Sequence, residues 1–161
     1  MQAGTAMTVE NKALKVALIE DRTEVREGLG YLIGSTPGFQ VTGEYALMEA
    51  GLQDLPRNLP DVVLLDIGLP GMDGIAGTRE LKERWPQLVV VTLTVYEDDA
   101  RIFNALCAGA SGYLLKKTSS SRLIEGLQDA MNGGSPISPK SPAKSSSYFV
   151  PLIRPRKLLF T

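Results

Sequence analysis

The chain has 161 residues, of which 43% are hydrophobic and 22% are charged, as expected for one globular domain with a buried core. It contains no histidine and one cysteine, Cys107. These counts exclude histidine-based catalytic triads, histidine-ligated zinc or copper, and an internal disulfide. No apolar run approaches the ~20 residues that a membrane span requires, and we expect a cytoplasmic protein.

The net charge of −1 combines an acidic body with a basic tail. Residues 133–161 contain five basic side chains and no acidic one, whereas the remainder contains 12 basic and 18 acidic side chains. An acidic body lacks the basic surface that contacts to nucleic-acid phosphates require. We therefore expect no direct DNA contact from this chain.

Strand-like and helix-like segments alternate through the first half of the chain. Lys15–Glu20 is the first predicted strand, and apolar residues at helical spacing then predict a helix that ends at Pro37. Phe39–Glu44 alternates like a second strand. A short helix follows and ends before Pro56. The apolar run in Asp61–Asp66 predicts a third strand that is buried on both faces.

The same alternation continues through the second half. Ile75–Trp85 is a predicted helix, Leu88–Thr94 a strand, Tyr96–Ala108 a helix and Gly112–Leu115 a short fifth strand. A last helix is expected over 119–133, from a cluster of three serines to a glycine pair. Five strands alternating with five helices predict an α/β fold with a doubly wound parallel sheet and right-handed crossovers.

Three regions follow from these patterns. Residues 1–13 are polar and aperiodic, and we expect a disordered leader there. Residues 14–133 form the predicted domain. Residues 134–161 are rich in proline and serine, and we interpret them as a basic tail or linker. Cys107 lies in an apolar helical stretch and is predicted to be a buried packing thiol.

Polar side chains stand at the carboxyl ends of four predicted strands: Glu20 with Asp21, Asp66, Thr94 and Lys116. Ligands bind at this edge of open α/β sheets, so the side chains are expected to converge. Asp66 is a candidate nucleophile that forms an acyl phosphate. Asp21, assisted by Glu20, is a candidate Mg²⁺ ligand. Lys116 and the Thr94 hydroxyl are candidates for stabilising phosphoryl oxygens.

Each of these residues also has an ordinary structural interpretation. A lone aspartate at a strand end is usually a loop acid, and an acidic pair before a helix can cap it. Thr94 and Tyr113 are common strand residues, and Lys116 can be a solvated charge. The acids together predict a further effect: the carboxylates of Asp21 and Asp66 should lie within a few ångströms and repel each other, with Glu20 adding to the negative field.

In this order the motifs resemble the receiver domain of two-component response regulators. Asp66 is followed by Pro70 and Gly74, and Tyr113 precedes Lys116 by three residues. The segments 66–74 and 109–117 are most similar to the branch that carries a LuxR-type helix-turn-helix output domain. The resemblance covers about residues 15–132.

The resemblance implies a flavodoxin-like (βα)5 fold with strand order 2-1-3-4-5. It implies that a sensor histidine kinase or a small phosphodonor phosphorylates Asp66, and that the backbone carbonyl of Gly68 is a further Mg²⁺ ligand. Thr94 and Tyr113 would relay phosphorylation to the face around the fourth helix and fifth strand, changing partner binding or homodimerisation. Such a protein is not an enzyme, although it releases the phosphoryl group by its own hydrolysis.

The segment after residue 132 departs from that branch. It has 29 residues, too few for a four-helix DNA-binding domain, and its prolines disfavour a recognition helix. We expect the parent protein to be a transcription regulator. Two alternatives stay open: a DNA-binding transcription factor that acts through the whole chain, and an inactive pseudo-receiver that only dimerises.

Overall fold

Residues 12–95 and 99–133 are described by the structure, a computed structural model. Five parallel strands form one sheet in this part of the chain: β1 (Leu14–Ile19), β2 (Phe39–Tyr45), β3 (Val62–Asp66), β4 (Val89–Thr94) and β5 (Gly112–Leu115). Five α-helices connect or follow them: α1 (Thr23–Ser35), α2 (Met48–Asp54), α3 (Gly74–Arg84), α4 (Asp99–Cys107) and α5 (Ser120–Met131).

The strands lie in the order β2-β1-β3-β4-β5, and every neighbouring pair is parallel. This confirms the predicted doubly wound sheet and its flavodoxin-like order. From β1, the chain adds β2 on one side and then β3 on the other side, so the order of strands reverses between β1 and β3. Ligands bind at such a switch point. The predicted start of the fourth helix, at Tyr96, lies outside the described residues, as do the tail at 134–161 and nearly all of the leader.

Helices cover both faces of the sheet, so all five residues of β3 are buried. Val62 and Leu64 contact the layer that contains α1 and α5. Val63 and Leu65 contact the opposite layer, which contains α2 and α3. Successive side chains of a strand point to opposite faces, and a strand covered on both sides therefore has an uninterrupted apolar sequence.

A third cluster packs α4 against β5 and includes Ile102, Leu106 and Tyr113. The predicted burial of Cys107 is wrong, because its side chain is exposed. Residues three and four apart share a helix face, so a buried stripe through Ile102 and Leu106 leaves Cys107 on the outer face with Phe103. No helix in the described ranges is long and apolar enough to cross a membrane.

Among the residues that the structure describes, side chains cap the helices α3 and α5. The Ser119 hydroxyl accepts a hydrogen bond from the Arg122 N–H (3.3 Å), which confirms the predicted serine start of α5. The Asp73 carboxylate accepts one from the Ala76 N–H (2.9 Å) and caps α3. These caps fix the first turns of helices that follow β3 and β5, at the edge where the candidate site residues lie.

Gly74 brings the first turn of α3 against the end of β3. Its N–H donates to the Ile67 carbonyl (2.9 Å), and a Cβ at this position would lie 2.6 Å from Ile67 Cα. We expect Gly74→Ala to destabilise the fold by about 1–3 kcal/mol because the backbone of β3 cannot yield as a flexible side chain can. The free energy of unfolding in urea measures this loss.

Gly28→Ala is the matched control, since a Cβ there meets nothing within 4 Å on α1. It should stabilise the protein by roughly 0.5–1 kcal/mol, the usual gain of alanine over glycine inside a helix. Equal stabilities of the two variants would contradict the close packing of α3 on β3.

Candidate functional site

The register of the sheet brings the acidic residues of β1 and β3 together. Ile19 pairs with Leu65, so the next residues along the two strands, Glu20 and Asp66, are also neighbours. The carboxylates of Glu20, Asp21 and Asp66 each offer an oxygen, and these oxygens all lie within 4.8 Å of one another. The predicted convergence is therefore confirmed. Glu20 and Asp66 are buried, with 2% and 6% of their surface exposed, and Asp21 is more exposed.

Register also places Thr94 and Lys116 at this edge. Asp66 pairs with Leu93, the residue before Thr94, and Thr94 pairs with Leu115, the residue before Lys116. The Lys116 N–H donates to the Thr94 carbonyl (2.8 Å) and ties the ends of β4 and β5 together. Thr94 is buried.

Lys116 joins two of the carboxylates. Its Nζ lies 2.8 Å from Glu20 Oε1 and 3.4 Å from Asp66 Oδ2, and its side chain is 14% exposed. Glu20 Oε1 has no hydrogen-bond partner among the described residues, so the ammonium approaches it at contact distance but outside hydrogen-bonding geometry. One ammonium cannot neutralise three carboxylates.

Burial raises the pKa of the Asp66 carboxyl above its ordinary value of 3.8, and the charge of Glu20 raises it further. The Gly68 N–H, 3.1 Å from Asp66 Oδ1, and the Lys116 ammonium act in the opposite direction without cancelling the increase. We predicted that Asp21 and Asp66 repel each other and that Glu20 adds to the negative field. In the structure, the neighbouring charge that raises this pKa is that of Glu20.

Glu20 is fixed by contacts that differ from a helix cap. Its Oε2 accepts a hydrogen bond from the Arg22 N–H (3.0 Å), and its carbonyl accepts one from Arg26 Nη1 (2.7 Å). The N-cap residue of α1 is Arg22, which makes no side-chain capping bond. The capping interpretation of Glu20 and Asp21 therefore has no support in the geometry.

Tyr113 lies in the apolar cluster between β5 and α4. Its ring is 2% exposed and packs with Ile102 and Leu106 of α4, so it connects β5 to that helix. Gly68 lies in the loop after β3 and contacts Asp66 through its N–H. The acids and Lys116 therefore lie together as predicted, and the roles of these residues and of Tyr113 stay predictions.

Sequence reasoning missed two acidic residues that hold the loop between β3 and α3. Asp73 caps α3, and an aspartate just before a helical run could have indicated this. Glu49 on α2 accepts a hydrogen bond from the Met72 N–H (3.1 Å). No local pattern indicates the Glu49 contact, because 23 residues separate its partners.

A cavity of about 490 Å³ lies elsewhere, at the amino ends of β3 and β4. Its lining includes Leu59, Trp85 and Met131 and none of the charged group. The charged group lies at the opposite edge of the sheet. Its three carboxylates, with oxygens within 4.8 Å of one another, suit a cation better than an apolar ligand.

The profile of one protein family, the response regulator receiver domain, matches residues 16–128. The chain is 34% identical over 131 residues to the transcriptional regulatory protein DegU of Brevibacillus brevis, across 81% of this chain and 55% of DegU. It is 37% identical over 122 residues to the DNA-binding transcriptional activator DevR/DosR of Mycobacterium tuberculosis, across 76% of this chain and 56% of that protein.

Solved structures show the same fold. The crystal structure of a LuxR-family two-component response regulator from Aurantimonas sp. superposes with a TM-score of 0.79 at 28% identity, covering 86% of this chain and 99% of that one. The chain spans little more than half the length of the two curated relatives. Fold, matched residues and relatives agree: this chain belongs to the response regulator receiver domain family of two-component systems.

Proposed function

We propose that this receiver accepts a phosphoryl group on Asp66. The observation that carries the proposal is a buried carboxylate at the end of the central strand, 3.4 Å from the Lys116 ammonium and clustered with two further acids. The chain contains no histidine, so a phosphohistidine donor must belong to a partner, and we propose a sensor histidine kinase. A small acyl phosphate is a second possible donor.

The side chains support an in-line transfer. A carboxylate oxygen of Asp66 attacks phosphorus, the bond to the donor breaks, and an acyl phosphate forms on Asp66. The Lys116 ammonium and the Gly68 N–H favour the charged, nucleophilic form of Asp66 against the effect of burial. In this proposal Lys116 also neutralises phosphoryl oxygens, and the Thr94 hydroxyl donates a hydrogen bond to one of them.

Receiver domains bind Mg²⁺ at an acidic pocket, and the residues present here fit that ion. Three carboxylates with oxygens within 4.8 Å of one another face one ammonium, and carboxylates are the ligands that Mg²⁺ prefers in proteins. We propose Glu20, Asp21, Asp66 and the backbone carbonyl of Gly68 as the residues that hold it. The ion would supply positive charge between the carboxylate and the incoming phosphoryl group.

Output is proposed to run through Thr94 and Tyr113. The backbone bond between Lys116 and Thr94 links the site to β5, where the Tyr113 ring packs against α4. Phosphorylation would therefore change the face around α4 and β5, and with it homodimerisation or the binding of another partner. The acyl phosphate is lost by hydrolysis, so the chain acts as a switch and turns over no external substrate.

We propose that the parent protein is a cytoplasmic transcription regulator. DegU and DevR/DosR are named as a transcriptional regulator and a DNA-binding activator, which supports this role. The net negative charge of the residues before 133 disfavours direct DNA contact by this part of the chain. An inactive pseudo-receiver is disfavoured, because packing alone requires neither the three acids nor Lys116 at one edge.

Beryllofluoride with Mg²⁺ mimics an acyl phosphate and tests the acceptor directly. We expect amide shifts at Thr94 and Tyr113 in nuclear magnetic resonance spectra, and no such shifts in Asp66→Asn, because the amide cannot ligate the mimic. Asp129→Asn on the exposed face of α5 is the matched control and should respond as the wild type does. An unresponsive wild type, or a response that survives Asp66→Asn, would overturn the proposal.

Mg²⁺ should raise the free energy of unfolding by about 1.4 kcal/mol at ten times its dissociation constant. The gain should shrink at high ionic strength, since salt screens the attraction. Asp21→Ala should remove this gain and abolish phosphorylation, yet stabilise the metal-free protein by up to roughly 1 kcal/mol through loss of a repulsive charge. Thermal melts with and without Mg²⁺ measure the two changes in stability, and labelling with acetyl phosphate measures phosphorylation.

Glu27→Ala removes an exposed acid from α1 and serves as the control for net charge. It should leave the response to Mg²⁺ and the phosphorylation unchanged. If Asp21→Ala destabilises the metal-free protein and leaves phosphorylation intact, Asp21 is a structural residue and the assignment of the metal site is wrong.

A further inference from the structure

The loop between β3 and α3, residues 67–73, directly contacts the proposed phosphoacceptor. The Gly68 N–H donates to Asp66 Oδ1 at 3.1 Å. At the far end, the Gly74 N–H donates to the Ile67 carbonyl at 2.9 Å, and the Leu69 side chain is buried beneath the loop. These contacts hold the two ends of the loop and its middle, but none of them reaches its outer turn.

Glu49 holds that outer turn from a different element. It lies in the first turn of α2, and its Oε2 accepts a hydrogen bond from the Met72 N–H at 3.1 Å. Gly71, beside Met72, has a φ of +72°, a conformation that glycine adopts without strain. A Cβ on Gly71 would lie 2.8 Å from the same carboxylate oxygen, so the glycine also gives Glu49 room to approach.

We propose that Glu49 is a positioning residue for the chemistry at Asp66. Its carboxylate fixes the outer turn of the loop, and the loop in turn keeps Gly68 in place, with its N–H on Asp66 and its carbonyl available to a divalent cation. This inference rests on the proposed function, since it concerns the same cation and phosphoryl group.

The contact also connects α2 to the site. Coupling between two equilibria is reciprocal, so a cation or phosphoryl group that favours the ordered loop also favours the bond between Glu49 and Met72. A partner that displaces the first turn of α2 would weaken cation binding, and the cation would weaken binding of that partner by the same factor. Glu49 therefore gives this receiver a route from α2 to Asp66 that does not pass through Thr94 or Tyr113.

The test compares Glu49→Ala with Glu49→Gln. The glutamine keeps an oxygen that accepts the Met72 N–H but removes the charge, whereas the alanine removes both. Two quantities are measured: the Mg²⁺ dissociation constant, from the amide shift of Gly68 during titration with Mg²⁺ alone, and the half-life of the phosphoryl group after labelling with acetyl phosphate. Glu83→Ala, in the last turn of α3, is the control for loss of an exposed acid.

We expect Glu49→Ala to weaken Mg²⁺ binding about threefold to tenfold, the usual worth of one hydrogen bond, and to change the phosphoryl half-life. Glu49→Gln should stay within about twofold of the wild type, and Glu83→Ala should be unchanged. The melting temperature of the metal-free protein should be similar in all four proteins, because the Glu49 contact is exposed and contributes little to folding.

Each remaining outcome contradicts a specific step. If Glu49→Ala matches the wild type in a protein that binds Mg²⁺ and is labelled, Glu49 has no positioning role. If Glu49→Gln is as weak as Glu49→Ala, the charge and not the hydrogen bond matters, and the proposal is wrong. A wild type that neither binds Mg²⁺ nor accepts phosphate would instead overturn the proposed function, leaving the contact as a structural feature.

Discussion

The ammonium of Lys116 lies between two buried carboxylates, 2.8 Å from Glu20 Oε1 and 3.4 Å from Asp66 Oδ2. Removing carboxylates from water costs free energy, and the apolar residues on both faces of β3 bury the carboxylate at its end. The burial of the apolar layers offsets this desolvation cost. Lys116 and the Gly68 N–H reduce the cost by stabilising the charged form of Asp66. The raised pKa of Asp66 shows that they compensate it incompletely. A divalent cation is a ligand that would relieve the remaining negative charge.

Two elements are connected to this charged group. Through Gly68 the carboxylate of Asp66 contacts the loop before α3, whose outer turn is held by Glu49 of α2. Through the backbone bond between Lys116 and Thr94 the group is joined to β5 and the packing beneath α4. In the proposed function, a change of charge at Asp66 would act on both elements through these contacts.

Much of this arrangement was predictable, because buried parallel strands have a strong sequence signature and their carboxyl ends must share one edge. That argument located Glu20, Asp21, Asp66 and Lys116. It could not identify Glu49, whose contact with Met72 depends on how α2 packs beside a distant loop. It predicted that Asp21 and Asp66 repel each other with a contribution from Glu20, and the structure shows that the charge of Glu20 raises the pKa of Asp66. The prediction for Cys107 was wrong because an apolar stretch does not specify the phase of a helix against its sheet.

The most direct test is a titration of the Asp66 carboxyl carbon by nuclear magnetic resonance in the metal-free protein. A folded chain that binds this proton more tightly than the unfolded chain loses stability as pH rises from 3.8 through the raised pKa. Incomplete compensation predicts a midpoint above 3.8 that falls in Glu20→Gln and rises in Lys116→Met. A midpoint at or below 3.8, unmoved by either variant, would contradict the central claim that Asp66 is a buried carboxylate with too little positive charge around it.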